Sequence, residues 1–99
     1  MAIIIRLAGD PLSGKYRFSL ARAYMNAGKH ADALRAFRRA LATDMNEAMR
    51  AYSYFNLGRI HEEMGNFAQM KAAFEQVLRL AIGDPEIEGY ARQALERDR

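Results

Sequence analysis

No cysteine occurs in the 99-residue chain, which removes disulfides, thiolate metal sites and cysteine nucleophiles together. The absence of thiols fits a reducing compartment. Residues 1–7 are apolar but carry no basic leader and are too short for a signal peptide, so a cytoplasmic protein is expected. Tryptophan is absent, and the only two prolines, Pro11 and Pro85, both stand near expected helix starts. No apolar run reaches 18 residues, so no membrane-spanning helix is predicted. Charge of one sign is scarce as well. The net charge of +3 is spread among interspersed Lys, Arg, Asp and Glu, the pattern of a solvated mixed-charge surface rather than of a nucleic-acid-binding tract.

What the chain has is apolar residues, 51% of the total, and an abundance of Ala, Arg, Leu, Glu and Met, all strong helix formers. Its length suits one small domain burying roughly 60–65% of its unfolded surface. The stretch from Tyr52 to Val77 also matches an earlier stretch at one fixed offset of 37 residues. Leu57 falls on Leu20, Gly58 on Ala21, His61 on Tyr24, Gly65 on Gly28, Phe74 on Phe37, Val77 on Ala40 and Leu78 on Leu41. Each copy places apolar residues at helical spacing (Tyr16, Leu20, Ala23, Tyr24; Tyr54, Leu57, Gly58, His61), then glycine, then a second helical set (Ala33, Leu34, Phe37, Ala40, Leu41; Met70, Ala73, Phe74, Val77, Leu78). Glycine is the residue that most readily closes a helix in the left-handed conformation. The pattern predicts a repeated helix–turn–helix hairpin. Ala21 and Gly58 are placed where two backbones approach closely, with Phe37 and Phe74 filling the space between.

These residues resemble the tetratricopeptide repeat. Leu20, Ala21, Tyr24, Gly28, Ala33, Phe37 and Ala40 carry the resemblance in the first copy, and Leu57, Gly58, Gly65, Phe67 and Phe74 in the second. Arg17 departs from the family's early aromatic, which Tyr54 supplies in the second copy. His61 stands where Tyr is commoner. Met70 replaces a small Ala, which calls for looser or shifted packing in the second hairpin. The offset exceeds the family's usual 34 residues, implying an extra turn. The fold expected is all-α, with antiparallel hairpins stacked in a right-handed superhelix.

Shifted by 74 residues, Gly9-Asp10-Pro11 meets Gly83-Asp84-Pro85, and Tyr16 meets Tyr90. Residues 3–8 therefore read as the tail of a preceding helix, with Asp10-Pro11 and Asp84-Pro85 as N-cap and first-turn proline. The expected division is a remnant of a preceding helix at 1–9, repeat 1 at 10–43, repeat 2 at 44–83 and a capping helix at 84–99. Asp44 followed by Glu47 reads as a capping-box start for a long helix ending near Met64. In the capping helix, Ile87, Tyr90, Ala91, Ala94 and Leu95 form one apolar stripe.

Chemical motifs fail one by one. Residues 9–16 fall one residue short of a phosphate-binding loop: Tyr16 stands where a compact hydroxyl must reach Mg²⁺, and Pro11 removes a backbone donor. His61-Glu62-Glu63-Met64-Gly65 opens like a zinc-protease helix but has Gly65 where the second histidine belongs. His30, beside Asp32, reads as a cap. Met25, Met45, Met49, Met64 and Met70 read as core fillers. No serine stands beside a histidine at a nucleophile's spacing. Neither catalysis nor a cofactor nor a metal is expected.

The resemblance implies that the first helix of each hairpin lines a concave surface. Residues free of packing there are Lys15, Phe18, Ser19 and Arg22, then Tyr52, Phe55, Asn56, Arg59 and Glu62, with Arg92 on the trailing helix. Aromatic anchors beside guanidinium groups suit capture of a partner protein's acidic or C-terminal peptide or helix. The same aromatics equally serve packing within the array. The family's carboxylate-clamp positions are matched only by Asn56. A second expectation is self-association into a homo-oligomer through Ile3, Ile4, Ile5 and Leu7, which would otherwise form an uncovered apolar patch. Nucleic-acid binding rests on the arginines alone.

Overall fold

Two helix ends in this chain are closed by the same device. Gly28 and Gly65 take φ of 77° and 79°, a region open to glycine at little cost. The Lys29 N–H bonds the Tyr24 carbonyl at 2.9 Å and the Gly28 N–H bonds Met25 at 3.0 Å; the Asn66 and Gly65 N–H groups repeat the pair on His61 and Glu62 at 2.8 and 3.1 Å. Both are Schellman closures. The computed structural model describes residues 13–97, and these contain five α-helices and no strand. They are α1 (Ser13–Asn26), α2 (His30–Leu41), α3 (Glu47–Met64), α4 (Phe67–Leu80) and α5 (Pro85–Arg97). The Asp10-Pro11 cap, the helical reading of residues 3–8 and the Ile3, Ile4, Ile5 and Leu7 patch lie outside the described residues.

The starts of the helices divide between expectation and correction. Asp84 caps α5, its Oδ1 accepting from the Glu86 and Ile87 N–H groups at 3.0 and 3.4 Å. For α3 the cap is Asn46, whose Oδ1 accepts from the Met49 N–H at 2.8 Å. Asp44 was two residues too early: the helix begins at Glu47, so first-turn donors face Asn46 instead. The expected His30–Asp32 cap is not made. His30 is already the first residue of α2, whose N-cap, Lys29, makes no side-chain capping bond. Its Nε2 lies 3.0 Å from Glu63 Oε1 near the end of α3, and Asp32 pairs with Arg35 within α2.

α1 packs along α2 and α3 along α4 as two hairpins, α5 closes on α4, and the hairpins meet through α2 and α3. Two apolar clusters result. Ala21, Leu34, Phe37, Leu57, Ile60 and Ala73 form the first, between the hairpins. Met70, Phe74, Val77, Ile87, Ala91 and Ala94 form the second, under α5, and Tyr54 packs against both. Met70 is 1% exposed, so the long side chain is taken into the second core where the first has Ala33. Met64 was expected inside but is exposed, because it is the last residue of α3 and the chain turns away there. No side-chain polar atom buried among the described residues lacks a partner.

His61 occupies the place of Tyr24 in the second hairpin and is buried, its Nδ1 lying 3.4 Å from the Asn66 amide nitrogen. Burial, followed by the nearby Arg38 guanidinium, lowers its pKa from the ordinary value. The folded protein thus binds fewer protons here than the unfolded chain below the ordinary value of about 6.5. The contribution to stability is complete above that pH and declines as pH falls toward the lowered folded value. Urea unfolding should therefore need less denaturant at acidic than at neutral pH, and His61→Tyr should flatten part of that slope. Identical pH slopes for the two proteins would contradict the assignment.

Candidate binding groove

Helical spacing puts Phe18 and Arg22 on one side of α1, and Tyr52, Phe55, Asn56 and Arg59 on one side of α3. These six residues line one open hollow of about 480 Å³ together with Glu86, Ile87 and Tyr90 of α5. The volume lies in the range of small ligand clefts, roughly 300–1,000 Å³. Among the other expected residues, Lys15, Ser19 and Arg92 are exposed but do not line it. Glu62 is engaged elsewhere: its two carboxylate oxygens accept from the Tyr90 hydroxyl at 2.7 Å and from Arg97 at 2.6 Å.

The aromatic residues serve the groove and the core at once. Phe18 meets Phe37 edge-on, with centroids 5.8 Å apart and planes at 72°. Phe55 lies 6.0 Å from Phe74 and 5.5 Å from Tyr90, and Phe74 lies 5.7 Å from Tyr90. Such offset contacts add about 0.5–1.5 kcal/mol per pair beyond burial and hold the rings in place. Phe18 and Phe55 are half-buried: one side of each ring rests on the core, the other on the hollow. Arg59 is placed over two of them, its Cζ 5.1 Å from the Tyr90 centroid and 5.9 Å from that of Phe55. A guanidinium held over aromatic faces keeps its outward N–H donors available.

Two hydroxyl bonds attach α5 to α3 and so form the groove's far wall. Tyr52 donates to Asp84 Oδ2 at 2.5 Å, and Tyr90 donates to Glu62. The Tyr52 bond, supported by the Glu86 and Ile87 N–H groups, holds the Asp84 carboxyl below its ordinary value against a smaller opposing effect of burial. The same bond, with burial and the carboxylate charge, raises the Tyr52 phenol. Tyr90 is raised by burial first and its bond to Glu62 second, with Arg59 and Arg97 opposing. Both phenols are therefore protonated donors at neutral pH.

The lining carries two guanidinium groups against one carboxylate, Arg22 and Arg59 against Glu86. Neither arginine forms an ion pair among the described residues. Sequence reasoning missed Glu86, Ile87 and Tyr90, treating Ile87 and Tyr90 as a packing stripe. The 74-residue offset offered no signal, since it carries Phe18 and Arg22 onto Arg92 and Glu96, which do not line the hollow, and pairs Tyr90 with the exposed Tyr16. No group of His, Cys, Asp or Glu that could hold a metal occurs among the described residues. None of the described helices is long and apolar enough to cross a membrane.

Two family models match the chain, each described as tetratricopeptide repeat. One covers residues 14–47 and the other residues 51–81. No curated protein and no solved structure matches the chain.

Proposed function

From the chain's membership of the tetratricopeptide repeat family, whose members generally mediate protein–protein interaction as non-catalytic scaffolds, we propose that it holds a peptide or helix of a partner protein in the groove between α1, α3 and α5. One observation carries this reading: residues from three separate helices converge on one hollow that combines aromatic rings packed on the core with two guanidinium groups that have no acidic partner among the described residues. The rings offer apolar area with little rotamer entropy left to lose on binding. The arginines offer bidentate donors to carboxylates. The preferred partner segment therefore carries a large apolar side chain beside an acidic residue or a C-terminal carboxylate.

A peptide selected on the wild-type protein from a displayed random library supplies the probe. Truncating one central interface arginine costs on the order of 1–2 kcal/mol, so Arg22→Ala/Arg59→Ala should weaken the selected peptide at least about tenfold. Lys15→Ala and Arg92→Ala, which alter exposed residues outside the hollow, should leave its affinity within about twofold. Equal losses in all these variants would point to non-specific charge attraction, and no loss in the double variant would reject the groove.

A further inference from the structure

The two hairpins present the same face to different surroundings. On the second hairpin that face is the joint with the first: Leu57 and Ala73 pack in the cluster with Leu34 and Phe37, and Arg38 of α2 shares a hollow with Tyr54 and His61. Moving back by 37 residues, Leu57 and Ala73 become Leu20 and Ala36, which line a hollow of about 150 Å³ on the outer side of α1 and α2. The apolar floor is kept. The rim is changed: Tyr54, Ala72 and Gln76 become Arg17, Arg35 and Arg39, and Gln69 becomes Asp32. None of the described helices covers this outer face.

Three guanidinium groups on such a face make it a poor joint for another hairpin of this kind, because each unpaired charge taken out of water costs several kcal/mol. With Arg35 paired to Asp32, Arg17 and Arg39 have no acidic partner among the described residues. These two also border a neighbouring hollow of about 300 Å³ with Ala42 and Thr43, so their donors serve both depressions. We infer that this outer face of the first hairpin is a second docking site, separate from the groove, for an acidic polypeptide segment. Its carboxylates pair with Arg17 and Arg39, and an intervening apolar side chain sits over Leu20 and Ala36. The apolar floor of Leu20 and Ala36 favours such a segment, which brings apolar side chains, over a nucleic-acid backbone, whose phosphates and sugars bring none.

The test uses the Arg22→Ala/Arg59→Ala protein, so the groove's guanidiniums are gone. The probe is a fluorescent glutamate-rich peptide with one central leucine. This protein should still bind the probe, more weakly as salt rises. Adding Arg17→Tyr and Arg39→Gln, the residues found at the equivalent places of the second hairpin, should raise Kd about tenfold with an unchanged helical circular dichroism spectrum. If that quadruple variant misfolds, Arg39→Glu alone, at an exposed position, should raise Kd several-fold. The proposal is overturned by unchanged affinity, by no binding in the groove-free protein, or by tighter binding of a thymidine oligonucleotide of equal charge. Binding only after removal of residues 1–9, or self-association abolished by the Arg17 and Arg39 changes, would give the face to another occupant and overturn it equally.

Discussion

Phe74→Ala should lower the unfolding free energy by about 3–5 kcal/mol, the usual loss for a fully buried phenylalanine. For a domain of this size, whose total is on the order of 5–15 kcal/mol, that is about a fifth of the whole or more. The ring is fully buried on α4, abuts Gly58 on α3 and stacks on Phe55 of α3 and Tyr90 of α5. Its removal therefore leaves a void where three helices meet, and relaxation would have to move the groove wall. Urea unfolding followed by circular dichroism measures the loss. Peptide affinity should fall as well, since Phe55 and Tyr90 lose the ring that positions them. A loss under about 1 kcal/mol would mean that these helices are not joined at Phe74.

Gly58→Ala should bring no gain in stability although alanine is the better helix former. Exchanging an interior helical glycine for alanine gains about 1 kcal/mol in propensity. Here, however, the added Cβ would stand 2.4, 2.7 and 2.8 Å from three atoms of the Phe74 ring. The ring is held by Phe55 and Tyr90, so relief requires displacing α4 against α3. Overpacking of this kind costs about 1–3 kcal/mol, which outweighs or at least cancels the propensity gain. Gly89→Ala provides the comparison: no atom lies within 4 Å of a Cβ added in the middle of α5, so the propensity gain should emerge there as a higher melting temperature. A melting temperature raised in both proteins would refute the close approach at Gly58. A smaller ring partner, Phe74→Leu, should reduce the penalty of Gly58→Ala in a double-mutant cycle.

The contrast between the two glycines also shows how far the sequence could be read. The offset of 37 residues paired Gly58 with Ala21, and a small residue between two helices follows from that pairing. Which of the two admits no further atom depends on how closely a phenylalanine from the next helix approaches, and Phe74 reaches the Gly58 backbone while meeting Phe55 and Tyr90 on its other sides. α3 poses a related difficulty. It carries buried residues on several sides, Ala51, Ser53, Leu57, Gly58, Ile60 and His61, because it is packed between α2 and α4. No single apolar stripe therefore marks its groove side. The His30–Glu63 contact joins residues 33 apart and has no local signature at all.

The chain's own order of residues was enough to determine the all-helical class, the repeated hairpin, the glycine closures at 28 and 65 and the Asp84-Pro85 start. Each of these depends on backbone preferences and spacings that act within a few residues. The docking of α5 decided the rest. It turned Ile87 and Tyr90 from a covering stripe into a wall of the hollow, drew Glu62 out of the lining into a bond with Tyr90, and set Arg59 over two aromatic rings. Those outcomes depend on distances between helices far apart in sequence, which only packing the apolar surfaces together establishes.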